Sequence, residues 1–153
     1  ADVTLNVVLT NASAITFASG AAGESATLTY ATAADYNNGV SLDQPAAFSV
    51  TSNQPYSVTV VAASDLANGS NNIPVGDVTV APVTSGGAVT GVTTDPATAV
   101  PTGSAAQIIT TSVGSALQSF DLTYAIASSH TPDILGKPAG TYTTTLTYTL
   151  TNP

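Results

Sequence analysis

Apolar and polar residues alternate along much of this chain. Val3, Leu5, Val7 and Leu9 share one parity, against Thr4, Asn6, Val8 and Thr10 on the other. Ala26, Leu28 and Tyr30 repeat the pattern, as do Tyr56, Val58, Val60 and Ala62, and Phe120, Leu122, Tyr124 and Ile126. Near the end, Tyr142, Leu146, Tyr148 and Leu150 alternate with Thr143, Thr145, Thr147 and Thr149. A period of two places successive side chains on opposite faces, so each run predicts a strand with one buried and one wet face.

Turn chemistry divides the runs: Gly20–Gly23, Asn37-Asn38-Gly39, Gln54-Pro55, Asn68-Gly69, Ser85-Gly86-Gly87, Asp95-Pro96 and the stretch from Gly136 to Gly140. The spacing predicts strands near 2–10, 14–18, 24–30, 46–52, 55–63, 73–80, 87–93, 106–112, 117–127 and 140–151. Residues 82–103, rich in Gly, Pro and Thr, predict a long loop or edge ribbon. Helical turns are expected only near Ser64–Ala67 and Ala31–Tyr36. Short strands at this spacing imply an all-β, immunoglobulin-like antiparallel β-sandwich, with a barrel as the alternative.

Composition adds a size and a surface. The chain has 153 residues, enough for one domain with a sizeable core. It has 26 Thr and 16 Ser, and this polar but uncharged surface points to an extracellular or cell-surface location after removal of a signal peptide. A formal charge of −8 with a single Lys leaves nothing to displace counterions from phosphates, so no nucleic-acid partner is expected. No apolar run approaches the roughly 20 residues of a membrane span.

Candidate chemistry is sparse. His130, in Ser128-Ser129-His130-Thr131-Pro132-Asp133, has Ser and Asp nearby but no nucleophile elbow, and reads as an exposed loop imidazole. With one His and no Cys, a zinc ligand set is not expected. Asp35 to Asp43, around Gly39, bunches oxygen ligands but lacks calcium-loop spacing, so an Asx-stabilised turn is the default. Lys137, in a Gly-Pro-rich turn, reads as a turn residue ahead of an isopeptide donor. Tyr30, Tyr56, Tyr124, Tyr142 and Tyr148 fall on apolar parity and read as core; Tyr36 does not. Neither a catalytic residue, a metal nor a cofactor is expected, and the chain reads as a non-enzyme.

The termini are unusual in carrying strand character from residue 3 to residue 150, where most domains fray. Residues 1–10 read as a donor strand, 11–13 as a short joint and 14–153 as the sandwich. In that reading Val3, Leu5, Val7 and Leu9 insert into a neighbouring sandwich that lacks one strand. Tyr142, Leu146, Tyr148 and Leu150 are the candidate edge of the acceptor groove. The amphipathic 141–151 strand leaves a C-terminal donor open as a variant.

The run Pro138-Ala139-Gly140-Thr141-Tyr142-Thr143-Thr144-Thr145-Leu146-Thr147-Tyr148-Thr149-Leu150-Thr151 resembles the closing strand of spore-coat-U-like subunits of archaic chaperone–usher pili. The alternating N-terminal segment is similar to their donor strand. Asp35-Tyr36-Asn37-Asn38-Gly39-Val40 and Ser52-Asn53-Gln54-Pro55-Tyr56-Ser57-Val58 resemble segments of secreted β-sandwich proteins of Gram-negative bacteria. The resemblance implies a pilus-like filament subunit, a head-to-tail homopolymer polymerised by donor-strand exchange. It further implies a periplasmic chaperone and an outer-membrane assembly protein as partners. A self-contained secreted module binding carbohydrate or another surface is the alternative.

Overall fold

The computed structural model describes residues 1, 3–87 and 90–153. The chain is all-β. In order, the strands are β1 (Ser13–Phe17), β2 (Gly39–Ser52), β3 (Ser57–Ala62), β4 (Leu66–Asn68), β5 (Asn71–Ile73), β6 (Val78–Gly86), β7 (Val92–Thr94), β8 (Thr98–Ala99), β9 (Ala106–Thr111), β10 (Ser115–Ala127) and β11 (Leu146–Thr151). Helix α1 (Ala33–Asn38) precedes β2, and a short α2 (Thr131–Ile134) follows β10. Single 3₁₀ turns occupy Gly20–Ala22, Val75–Asp77 and Ser128–His130.

Two antiparallel sheets pack face to face. The first has the order β1-β2-β10-β6-β8, the second β11-β3-β9-β7, and β4 and β5 form a separate ribbon. Alternation along the strands delivers the core. Phe48 and Val50 from β2 and Phe120, Leu122, Tyr124 and Ile126 from β10 meet Val58 and Val60 from β3 and Ile108 and Ile109 from β9. A row of rings crosses the first sheet: Phe48 is in register with both Phe17 and Phe120, its ring centroid 5.0 Å from each. The row continues to the second sheet, where Tyr148 lies 5.0 Å from Phe17. Such aromatic pairs add about 0.5–1.5 kcal/mol each beyond the area they bury.

The sequence expectations hold for β1, β3, β9 and β10, and for a helical turn at 31–36, where α1 forms. Thr32 caps α1: its hydroxyl accepts from the Asp35 amide, while the Asp35 carboxylate accepts from Thr32 N at 2.7 Å. These bonds, with one from Ala31 N, hold the Asp35 carboxyl below its ordinary pKa. The carboxylate of the suspected calcium loop is therefore a helix cap, and Asp43 accepts from the Thr123 hydroxyl on β2's neighbour instead.

Other expectations are corrected. Residues 3–10 form no strand, because no described strand of the same chain makes a backbone ladder with them; residue 2 of that expected strand lies outside the described residues. Residues 24–30 form no ladder, though Leu28 and Tyr30 pack on the core and Gln44 Nε2 donates to Ser25 O at 2.6 Å. The strand expected at 46–52 begins seven residues earlier. Pro45 has no amide for a ladder, but the register shift between Phe120 and Leu122 makes a bulge there that needs none. Ala46 in this bulge has φ +49°, and its N–H donates to Asp121 Oδ1 at 2.6 Å.

The expected 73–80 strand is split by the 75–77 turn, and the expected helical turn at 64–67 is instead the start of β4. The ribbon expected across 82–103 resolves into the end of β6, then β7 and β8. Of the strand expected at 87–93, residues 88 and 89 lie outside the described residues, and β7 begins at Val92. The 140–151 strand is shortened to 146–151. Thr143 exchanges backbone bonds with Ala67 of β4 before the chain crosses to β3, so Tyr142 is not on β11.

Candidate functional site

Two edge strands near the termini meet at one side of the sandwich. β1 is an edge of the first sheet and β11 an edge of the second, and the Phe17–Tyr148 contact brings the two edges together. β11 pairs with β3 from Leu146↔Ala62 to Thr151↔Ser57, and its other side carries no ladder among the described residues. Its Thr147, Thr149 and Thr151 are exposed, whereas Leu146, Tyr148 and Leu150 face the core yet remain only half-buried. Ile15 and Phe17 of β1 are half-buried in the same way. An edge strand with free backbone groups and an incompletely covered apolar row offers both terms that a further strand needs.

The tail at residues 3–10 has the complementary character. Val3, Leu5, Val7, Val8 and Leu9 are 78–92% exposed. Large apolar side chains this bare, five within seven positions, leave a continuous hydrophobic strip with no cover from its own fold. The joint below the strip is ordered by one residue. Asn53 Oδ1 accepts from Ala12 N at 2.9 Å, and Asn53 Nδ2 donates to Thr10 O at 3.1 Å. The Asn53 amide donates to Ala12 O at 3.1 Å, which carries the β1–β2 pairing one step beyond Ser13↔Ser52. The chain thus enters β1 in line with that strand.

Of the sequence-derived acceptor residues, Leu146, Tyr148 and Leu150 share one face of β11. Tyr142 stands apart and donates its phenol to Pro138 O at 2.8 Å. Tyr148 is tied across the sandwich: its hydroxyl lies 2.6 Å from that of Tyr124, and burial raises both phenols above the ordinary tyrosine pKa. Tyr56 and Tyr124 are core; the Tyr30 and Tyr36 rings pack in a tilted arrangement with centroids 4.9 Å apart.

The sequence reading of His130 as a bare loop residue missed its partner. Nδ1 of His130 lies 2.9 Å from Oδ1 of Asp77, more than fifty positions earlier in the chain. No residue pattern announces that pairing, since the two turns meet only when β6 and β10 lie side by side. Likewise, the Asn53 clamp follows from the β1–β2 register, not from any local signal.

Among the described residues, no helix is long and apolar enough to cross a membrane. Comparison with protein-family models and with curated proteins returns no match.

Proposed function

We propose that this chain is a structural subunit of an extracellular filament, in which residues 3–9 of one copy complete the sandwich of the next along β11. The observation that carries this reading is the pairing of two unsatisfied features in one molecule: a bare apolar tail, and an edge strand whose apolar face is half-covered. Val3, Leu5, Val7 and Leu9 supply a period-two strip matching the alternation of Leu146, Tyr148 and Leu150. Burying those four tail side chains contributes about 6–12 kcal/mol as an upper bound, before the cost of ordering the tail.

The occupant is a second copy because residues 3–9 leave their apolar side chains bare on their own fold, while Asn53 holds the chain just below them at Thr10 and Ala12. The N-terminal tail is the donor in preference to the C-terminal strand, since β11 is laddered to β3 and anchored through Tyr148. A contact between unlike surfaces is head to tail and propagates into a filament.

The test uses the intact chain and a version lacking residues 1–10. Electron microscopy and light scattering should show filaments for the intact chain and monomers for the shortened one. A synthetic peptide of residues 1–10 should bind the shortened chain and raise its melting temperature. An intact chain that stays monomeric at millimolar concentration, together with a peptide that changes nothing, would overturn the reading.

A further inference from the structure

At one end of the sandwich the turn before β6, the turn after β10 and the segment before α1 converge. Asp77 comes from the first, His130 and Asp133 from the second, and Tyr30 from the third. One ligand atom each from Asp77, His130 and Asp133 lie within 4.8 Å of one another. Each of the two turns is held from behind. Asp65 Oδ1 accepts from Val75 N at 3.0 Å, fixing the turn that carries Asp77. Thr131 donates its hydroxyl to Tyr36 O at 2.7 Å, fixing the turn that carries His130 and Asp133 to α1.

The arrangement is electrostatically unbalanced. The Asp77 side chain is only 8% exposed; its Oδ1 faces His130, its Oδ2 is buried with no N–H or hydroxyl donor, and the neighbouring Asp133 carboxyl can hydrogen-bond to it only if one of the two acids holds a proton. The Tyr30 hydroxyl is also buried without a partner, and its pKa is raised first by burial and next by the charge of Asp77. The Asp133 and Asp65 carboxylates add further negative charge around Asp77, against a single imidazole. A buried carboxylate oxygen with no donor costs free energy that a cation would offset.

We propose that Asp77, His130 and Asp133 form a binding site for a divalent transition-metal ion, with the Tyr30 phenol at its edge. The 2.9 Å between His130 Nδ1 and Asp77 Oδ1 is hydrogen-bond spacing, so an ion would take the place of the shared proton, and the two ligand atoms would open to about 3.4 Å for tetrahedral zinc at about 2.0–2.2 Å from each. A mixed imidazole–carboxylate set favours zinc and its first-row neighbours over calcium, which takes oxygen ligands alone. His130 is 41% exposed and Asp133 is exposed, so the ion has an entry path and room for water. The sequence expectation against zinc considered the imidazole without the Asp77 carboxylate that the fold delivers to it. The site stands independently of the filament reading.

Calorimetry of the full chain with zinc chloride, after treatment with chelator, tests the site. One ion per chain is expected. Zinc at about five times its Kd should raise the melting temperature by about 2–4 °C. Because the chain has one histidine, zinc should shift a single set of imidazole proton resonances. His130→Ala and Asp133→Asn, both at accessible positions, should each weaken binding at least about tenfold. No saturable binding, unchanged affinity in both variants, or calcium binding as tight as zinc would each overturn the assignment.

Discussion

Single hydroxyls and amides hold the parts of this sandwich in place. The Tyr124–Tyr148 pair joins β10 of one sheet to β11 of the other at 2.6 Å. Removing one hydroxyl strands its partner in a site where burial already disfavours a lone polar group. Tyr124→Phe or Tyr148→Phe alone should therefore cost about 1–3 kcal/mol in urea unfolding. The double substitution should cost less than the sum of the two, because no orphan oxygen remains. An additive result would show that the two phenols do not depend on each other. These tyrosines were placed in the core from parity alone. Parity did not reveal their partnership, since 24 positions separate them and only the packing of the two sheets sets the distance.

At the scale of elements, the fold depends on a few backbone positions that admit only glycine. Gly39 ends α1 and begins β2 with φ +79°, its N–H donating to Asp35 O. A Cβ there would lie 2.3 Å from the carbonyl oxygen of Ile126 on β10. Gly39→Ala should thus add left-handed strain of about 1–2 kcal/mol and force β2 from β10. A thermal melt reading no loss would mean that the α1–β2 corner is looser than its geometry. The Asn37-Asn38-Gly39 sequence announced a break, which is the end of α1 and the start of β2, and a helical turn was expected at 31–36 without the Thr32–Asp35 cap that holds it. The length of β2 was not legible. Pro45 argues against a strand by local chemistry, and only the bulge opposite Asp121 makes room for it. For residues 24–30 the error runs the other way. Their alternation is real and buries Leu28 and Tyr30, but burial of one face does not require a ladder.

At the scale of the whole molecule, the sandwich is unequal on its two sides. β1 and β11 leave an apolar row half-covered, and the tail above Asn53 leaves another fully bare. If the tail serves a neighbour, a charge within it should separate folding from assembly. Val7→Asp alters a side chain that is 78% exposed on its own fold, so unfolding free energy should stay within about 0.5 kcal/mol of the parent. The same charge would be desolvated in a neighbour's sandwich at a cost of several kcal/mol. Light scattering should therefore show monomers of normal stability. Filaments that persist in this variant would place the contact elsewhere.

The all-β class, the two-faced strands and the aromatic core follow from the sequence by itself. Period-two alternation fixes which side of each strand is apolar, whatever the strand pairs with. It also marked the N-terminal strip as amphipathic, although that strip forms no strand within its own chain. Only tertiary structure decided which edges remain open, because an edge is defined by the absence of a neighbour. It alone brought Asp77 to His130 and Asp133, since proximity between turns at the end of a sandwich depends on strand order and register. Local chemistry chooses the elements here, and the pairing of distant strands decides which groups are left to meet.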